Sequence, residues 1–431
     1  LGRKGFAAVQ IPPPMEHIQG NQWWTRYQPV SYTLTSRSGT QSELEDMFSR
    51  CKAAGVRIIA DAVVNHMAAS PQSTSTGVAG TPYNPGRQYE PYDYNPDMTH
   101  HLDGQSTTNC AISDYDDMQN VQTCDLSGLV DLDTENSEVQ STIADYLSSL
   151  TAAGAVGVRI DAAKHISNYS VAAILDKAQS LEYVFQEVIY GSGEAVQPEM
   201  YTATGDVTEF RFGTNIFDVF NSKTSDKMKY MATFGEAWGM LPSSSAVVFT
   251  DNHDTQRSSS EVLTYKDGEN YNLANYFMLA HPYGHPKVMS SYYFTDSDAG
   301  PPGTPVHGSD GSVSCDDGVN WVCEHRRTGI ANMVGFRKAA AGTNATNWQF
   351  DPTNANRVAF SREDAGFFAL NMDPSSSWEA SVPTDLADGT YCNAITSDDA
   401  DLCDGGEQVT VVQGSAYVSL APLSALAMYS S

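Results

Sequence analysis

The sequence predicts an α/β protein: a (β/α)8 TIM barrel that carries an inserted irregular subdomain and is followed by an all-β Greek-key sandwich. Apolar, strand-like runs alternate with helix-like runs through the first 342 residues. Alternating βα units form a parallel sheet, and this many units are typical of a closed barrel. From about residue 343 the runs are short, alternate in polarity and stand between turn residues, which is typical of a β-sandwich.

Seven apolar runs are predicted to be barrel strands. They comprise residues 6–11, 56–60, 158–160, 183–186, 207–210, 246–250 and 288–290. Two helices have clear signals: apolar residues at helical spacing begin after Ser42 and stop at Gly55, and a second such face follows Thr134, the expected N-cap. Residues 67 to about 130 show no sustained period, so they are predicted to form the insertion.

Four segments follow from this pattern. Residues 1–66 are the first part of the barrel, 67–132 the inserted subdomain, 133–342 the second part of the barrel and 343–431 the sandwich. Within the sandwich we expect strands at residues 358–360, 367–371, 408–412, 417–420 and 425–428.

The chain is strongly acidic, with 24 basic and 52 acidic residues and a net charge of −28. Nucleic acid and anionic membranes would repel such a surface, so neither is an expected partner. No apolar run approaches the roughly 18 residues that span a bilayer. The acidity fits a secreted protein, whether an ordinary one or one adapted to salt.

Six of the seven cysteines form close pairs in the sequence: Cys110 with Cys124, Cys315 with Cys323, and Cys392 with Cys403. None of the pairs has the spacing of a zinc knuckle, and short loops closed by paired cysteines in an acidic chain indicate disulfides. Disulfides place the protein in an oxidising, extracellular compartment. Cys51 is left over, and its simplest interpretation is a buried free thiol.

Acidic residues stand where four predicted strands end: Asp61, Asp161, Glu187 and Asp254. The last three are separated by about one and about two βα units, which places them at one rim of a barrel. A single acidic residue there is usually a helix cap, but three in register, each beside His, Arg or Asn, suit glycoside hydrolysis. Magnesium-assisted enolate or phosphate chemistry is the alternative, and it is less favoured because no phosphate-binding glycine loop is present.

Four segments carry a resemblance to a known family. They read DAVVNH from Asp61, GVRIDAAKH from Gly157, FQEVI from Phe185 and FTDNHD from Phe249. In order and spacing they resemble the four signature regions of the α-amylases of glycoside hydrolase family 13. The segments WWTRYQPVSY, HPYG, KVMSSY and CEHR further resemble the animal-type, chloride-dependent subgroup, which includes bacterial members. The resemblance covers nearly the whole chain.

The resemblance implies a secreted, calcium-dependent, retaining endo-α-1,4-glucanase that degrades starch or glycogen. Asp161 would be the nucleophile, Glu187 the general acid and then base, and Asp254 the residue that stabilises the transition state. The implied substrate-binding residues are Trp24, Tyr27, Gln28, His66, Arg159, Lys164, His165 and His253. The rival functions are a transglycosylase and a catalytically silent glucan-binding homologue. Silent homologues usually lose one of the three carboxylates, which are all present here.

The same resemblance implies two ions. A calcium ion would be bound by Asn65, Asp131 and the backbone carbonyls of Gln122 and His165, and oxygen ligands suit a hard cation. A chloride ion would be bound by Arg159, Asn252 and Lys287. The alternative for Arg159 is a plain ion pair with a carboxylate. Two departures from the animal pattern are Lys287, where Arg is usual, and the short run SSSEV in place of a glycine-rich loop.

The resemblance also predicts a missing βα unit at the start of the barrel. Seven strands are recognisable, whereas a closed barrel of this kind needs eight, and the first leads to a segment that follows the second strand in the family. The family's counterpart of Cys51 pairs with an upstream cysteine. We therefore expect that about 30 residues precede Leu1 in a complete barrel. The insertion would then follow the third strand, and we expect the protein to be a monomer.

Overall fold

A seven-stranded parallel sheet carries the first domain in the computed structural model, which describes residues 1–100, 110–397 and 403–430, with backbone alone for 222–227. The strands pair in chain order, β1 to β7, and every neighbouring pair is parallel. Their bounds are Ala8–Ile11, Arg57–Val63, Gly157–Asp161, Tyr183–Gln186, Asp206–Thr208, Ala246–Val248 and His285–Pro286. This curled parallel sheet with helices between its strands confirms the barrel prediction.

One strand was predicted in the wrong place. The seventh strand is His285–Pro286, not residues 288–290. Its neighbour β6 ends at Val248, whose carbonyl accepts the amide of Lys287 at 2.8 Å. The apolar run that begins at Val288 therefore lies beyond the last residue of β6 with which it could pair. Apolar character alone does not reveal where a partner strand ends.

Eight α-helices lie among the described residues. They are α1 to α8 in chain order: Gln41–Ala53, Met118–Thr123, Ser137–Ala153, Asn168–Lys177, Phe210–Phe220, Thr255–Ser258, Glu269–Ala280 and Thr328–Ala339. A capping box of Thr40 and Glu43 starts α1, close to the predicted start. The predicted cap of α3 is wrong: Asn136, not Thr134, accepts the Glu138 amide at 2.9 Å, because Thr134 still lies in the preceding turn.

The insertion between β2 and β3 is attached to the barrel by a short antiparallel ladder. His66–Met67 pairs there with Val130–Asp131. A buried ion pair supports the ladder from inside the insertion, since Arg87 donates to Asp125 at 3.0 Å and Asp125 accepts the backbone amide of Asp131. The backbone of Asp131 is therefore held on both sides.

The last domain is a sandwich of two four-stranded antiparallel sheets. Strands β8 to β15 are Thr346–Phe350, Arg357–Arg362, Gly366–Asn371, Trp378–Pro383, Gly389–Cys392, Gln408–Val412, Ser415–Leu420 and Ser424–Tyr429. The sheet orders are β8-β9-β10-β15 and β11-β14-β13-β12. The chain therefore crosses between the sheets after β10 and after β14, and β11 pairs with β14 rather than with β12, as in a Greek key. Apolar side chains from both sheets, such as Phe367 and Val418, fill the space between them.

The structure contains the three predicted disulfides, Cys110–Cys124, Cys315–Cys323 and Cys392–Cys403. Cys51 is half-buried and unpaired among the described residues. Across the described ranges, no helix combines the length and apolarity that a bilayer crossing requires. The four segment boundaries and the missing first unit stay predictions.

Arg362 joins the barrel to the sandwich and generates the first testable prediction. Its guanidinium is 2% exposed and donates to the carbonyls of Ala280 and Ala340 at 2.7 Å and of Thr343 at 2.9 Å. We expect Arg362→Met to lower the free energy of unfolding by about 3 kcal/mol, because three carbonyls lose a charged donor. Urea denaturation measures the change.

The matched control is Arg50→Met, since the Arg50 side chain is 70% exposed and its ion pair with Asp46 is solvated. We expect that change to stay within about 0.5 kcal/mol of the wild type. Equal effects of the two substitutions would show that Arg362 does not hold the domains together.

Candidate active site

Three carboxylates surround one buried guanidinium at the carboxyl ends of the strands. Arg159, on β3, is 1% exposed. Its Nη1 lies 2.7 Å from both Asp61 Oδ1 and Asp161 Oδ1, and its Nη2 lies 2.6 Å from Glu187 Oε1. Parallel strands bring their carboxyl ends to one rim, which is why residues from β2, β3 and the end of β4 meet here.

The electrostatics of this cluster depend on Arg159. Burial alone would raise the pKa of Glu187, but the Arg159 charge and the Ala162 amide, which donates to Oε2 at 2.9 Å, hold that pKa below its usual value. Burial, partly offset by Arg159, raises the pKa of Asp161 well above its usual value. The two carboxyls therefore compete for one cation.

The backbone turns sharply after Asp161. Ala162 has φ 48°, in the left-handed region that costs a non-glycine residue about 1–2 kcal/mol. This turn aims the Ala162 amide at Glu187. A strained residue beside the predicted nucleophile is thus tied directly to the predicted general acid, and strain of this kind often accompanies function.

Asp254 is positioned by its neighbour Asn252. The Asn252 Oδ1 accepts the amides of Asp254 at 3.0 Å and Thr255 at 2.8 Å, which fixes the turn after β6. The Asp254 carboxylate lies 3.3 Å from His253 Nε2. Burial lowers the pKa of His253, and burial with the nearby Glu187 raises that of Asp254. His253 is therefore a neutral hydrogen-bonding group.

An aromatic wall flanks these groups. The Tyr27 ring stacks on His253 with centroids 5.2 Å apart, and the Tyr27 hydroxyl donates to Asp61 at 2.9 Å. Trp23 meets both rings edge-on, at 5.8 Å from Tyr27 and 5.7 Å from His253. Trp24, the predicted platform, is half-exposed next to it. The sequence analysis missed Trp23, since only its position beside His253 distinguishes it from a core tryptophan.

Lys164 lies on the other side of Glu187. Its ammonium donates to the Ile189 carbonyl at 2.7 Å, forms an ion pair with Glu194 and lies 5.0 Å from the centre of the Tyr115 ring. Lys164 thus holds the segment after Glu187, and its contact with sugar stays a prediction.

The three remaining predicted sugar ligands are tied to backbone groups. His66 Nε2 donates to the Tyr27 carbonyl at 2.9 Å, and burial lowers the pKa of His66 to about 4. His165 Nδ1 donates to the Val121 carbonyl at 3.0 Å. Gln28 Oε1 accepts the Ala69 amide at 3.3 Å. These bonds fix the orientation of each side chain around the rim.

Comparison with known proteins decides the family. Residues 5–195 match the alpha amylase catalytic domain, and residues 348–431 match the alpha amylase C-terminal all-beta domain. The chain is 40% identical to an alpha-amylase of Hypothenemus hampei over 98% of this chain and 87% of that one. It is also 40% identical to the pancreatic alpha-amylase of Sus scrofa, over 97% and 88%.

A solved structure agrees with these matches. A mutant of alpha-amylase I of Eisenia fetida in complex with maltohexaose aligns with a TM-score of 0.92 at 33% identity, over 100% of this chain and 93% of that chain. The chain belongs to the α-amylase family. It is a glycoside hydrolase of the animal type, as the sequence motifs indicated.

The residues expected to bind calcium in this α-amylase-family chain fit a hard cation. The buried oxygens Asn65 Oδ1 and Asp131 Oδ1 have no hydrogen-bond partner within the part of the chain that the structure describes. The Asn65 amide donates to His66 Nδ1 at 3.3 Å, which leaves its oxygen for another partner. His100 binds the other Asp131 oxygen at 2.6 Å. Buried oxygens of this kind need a partner, and calcium would supply one.

Gln122 and His165, whose backbone carbonyls are predicted to bind calcium, lie on elements that contact each other. Gln122 is in α2, and its neighbour Val121 accepts a hydrogen bond from His165. Gln122 is fixed in turn, since its side chain donates to the Tyr201 hydroxyl at 3.1 Å. The four residues of the predicted set therefore come from the barrel, the insertion and the loop after β3.

The residues expected to bind chloride also fit an anion. Arg159 Nη2 contacts Glu187 without hydrogen-bond geometry. The Asn252 oxygen is occupied by two amides, which leaves its NH2 group as a donor. Lys287 donates to Gln10 at 2.7 Å, and burial together with the Arg159 charge lowers its pKa to about 8. Two buried cations that disfavour each other would gain from an anion between them.

The orphaned oxygens generate a prediction about calcium. If they bind the ion, calcium at about 100 times its Kd should stabilise the folded protein by about 2.7 kcal/mol. We expect chelation with EGTA to lower the Tm and Asp131→Ala to remove this response to calcium.

The control is Asp145→Asn, which changes an exposed carboxyl on α3. That variant should keep the full response to calcium. A wild-type Tm that is unchanged by EGTA and by added calcium would contradict the assignment.

Proposed function

We propose that this α-amylase-family chain is a secreted, retaining, endo-acting α-1,4-glucan hydrolase that degrades starch or glycogen. The observation that carries the proposal is the convergence of Asp61, Asp161 and Glu187 on Arg159, with Asp254 beside them. The maltohexaose complex of the Eisenia fetida relative supports an α-glucan as the substrate. The acidic surface and the three disulfides support secretion.

The contact of both proposed reacting carboxyls with one guanidinium supports retention of configuration. One guanidinium contacts both Asp161 and Glu187, at 2.7 and 2.6 Å. Such a pair suits the separation of about 5–5.5 Å found in retaining enzymes better than the wider separation of inverting ones.

In the first step the Asp161 carboxylate attacks the anomeric carbon while Glu187 gives its proton to the glycosidic oxygen. The bond to the leaving sugar breaks and a glycosyl ester of Asp161 forms. In the second step the Glu187 carboxylate takes a proton from water, whose oxygen attacks the same carbon and releases Asp161.

The surrounding side chains position the sugar that reacts. Asp254 and the neutral His253 would accept and donate hydrogen bonds to its hydroxyls. His66 would contact the same sugar with its ring alone, since its two ring nitrogens are engaged by Tyr27 and Asn65. Tyr27 and Trp24 would cover its apolar faces and those of the next unit. Endo-action would follow from an open cleft that binds the chain on both sides of the cleaved bond.

The two ions would act through the same framework. Asn65, Asp131 and the carbonyls of Gln122 and His165 would hold calcium, which supplies structural support for the insertion. Arg159, Asn252 and Lys287 would hold chloride, whose charge offsets that of Arg159. We infer a monomer whose partners are glucans, with neither nucleic acid nor membrane among them.

The roles of Asp161 and Glu187 can be separated by substitution. Glu187→Gln should lower kcat on starch by about 10²- to 10⁴-fold, because the leaving oxygen loses its proton donor. The same variant should still release fluoride from an α-maltosyl fluoride, since fluoride leaves without a proton. Asp161→Asn should be inactive on both substrates, because no nucleophile remains.

The control is Glu261→Gln, which changes an exposed carboxyl on the loop that follows α6. It should match the wild type on both substrates. Wild-type turnover by a correctly folded Asp161→Asn variant would overturn the nucleophile assignment, and glucan binding without hydrolysis by the wild type would favour a silent homologue.

Chloride should control the pH profile. Activity falls as the pH rises through the pKa of Glu187, because the acid must be protonated. Arg159 holds that pKa low, so an anion beside Arg159 raises it. We expect chloride-free buffer to lower activity and to move the basic limb of the pH profile down by about one pH unit.

Lys287→Gln should show the low basic limb with and without chloride, whereas the exposed Lys266→Gln should respond like the wild type. A wild-type pH profile that is the same in chloride and in a non-binding anion would disprove the chloride site.

A further inference from the structure

We propose that Tyr190 is a stacking platform for an outer glucose unit of the leaving chain. The proposal rests on the proposed function and extends it to the reducing side of the cleft. Tyr190 follows Glu187 by three residues, within about 11 Å of extended chain. It is 37% exposed and stands beside Ile189, which is 48% exposed. Two large hydrophobic side chains, Ile189 and Tyr190, are thus exposed shortly after Glu187, the predicted acid.

One face of the Tyr190 ring is covered by a fixed cation. The Arg211 guanidinium lies 4.3 Å from the ring centre. Glu209, which is fully buried, accepts from Arg211 at 2.8 Å, and Glu199 accepts from it at 3.1 Å. Since Arg211 is held by two carboxylates, it supports the ring from one face, while 37% of the Tyr190 surface stays exposed.

The loop that carries Tyr190 is held in one shape. Gln197 donates to the carbonyls of Gly191 at 2.9 Å and Glu194 at 2.7 Å. The Ala195 amide donates to the Tyr115 carbonyl at 2.9 Å, which ties the loop to the insertion. A ring on a fixed loop loses little conformational entropy when a ligand stacks on it.

The direction of the cleft identifies the ligand. Glu187 must face the oxygen of the leaving sugar, so the residues that follow it lie on the leaving side. The wall of Tyr27 and His253 lies with Asp254, which binds the sugar that is attacked. An exposed tyrosine face offers apolar contact to the C–H face of a sugar and a hydroxyl for its rim. The structure therefore assigns Tyr190 to an outer α-1,4-linked glucose unit.

The test compares a long and a short substrate. Maltoheptaose extends well beyond the cleaved bond, whereas the leaving group of 2-chloro-4-nitrophenyl α-maltotrioside is a single phenyl ring. We expect Tyr190→Ala to lower kcat/KM for maltoheptaose about fivefold relative to the short substrate. Tyr190→Phe keeps the ring and should stay within about twofold of the wild type.

The control is Tyr417→Ala, which removes a 59% exposed tyrosine from the sandwich and should change neither substrate. An equal loss on both substrates by Tyr190→Ala would mean that Tyr190 only supports Arg211, and no loss on either would exclude the platform. Both results overturn the inference while the wild type still hydrolyses both substrates. A wild type inactive on both would instead refute the proposed function.

Discussion

The buried charge of Arg159 is the interaction on which the site depends. A guanidinium that is 1% exposed needs partners, and Asp61, Asp161 and Glu187 supply them from three different strands. Removing one member of a buried pair costs about 3–5 kcal/mol because the other charge stays behind. The contacts that offset the cost of burying the Arg159 charge therefore also fix the positions of the Asp161 and Glu187 carboxyls.

This arrangement contains an electrostatic conflict that the chemistry has to resolve. In the proposed mechanism Asp161 must be ionised and Glu187 protonated, yet Arg159 contacts both carboxyls and lowers the pKa of Glu187. Lys287 adds a second cation, linked through Gln10, whose amide lies 3.4 Å from Asp61. A negative charge beside Arg159 would reduce the effect of Arg159 on the pKa of Glu187. That pKa would then rise, and Glu187 would be protonated at a higher pH. An anion bound there, as proposed, would therefore have a chemical function beyond charge balance.

The sequence predicted the elements better than the contacts between them. Apolar runs located six of the seven barrel strands, because a strand buried on both faces is continuous in apolar residues. The seventh was displaced because its bounds depend on where β6 ends. The acidic strand ends were visible in the sequence, since the barrel register places them at one rim.

Contacts between residues distant in the chain produce no such pattern in the sequence. The ion pair of Lys164 with Glu194 and the edge-on contact of Trp23 with His253 join residues far apart in sequence or on different loops. Neither contact could be predicted, because neither produces a periodic pattern in the sequence. Among the described residues, the buried side-chain oxygens of Asn65 and Asp131 lack hydrogen-bond partners. Only the folded structure reveals this, because in the sequence both are ordinary polar residues.

The attachment of the insertion links the predicted calcium ligands and the aromatic wall into one framework. Asn65 precedes His66, which pairs with Asp131 across the ladder and donates to Tyr27 at the aromatic wall. His165 follows Asp161 by four residues and is bonded to the insertion through Val121. A cation bound at these oxygens would therefore hold the loop after Asp161 and the His66 side chain together. Loss of that cation should loosen the catalytic rim before it unfolds the barrel, because the strands themselves are held by the sheet.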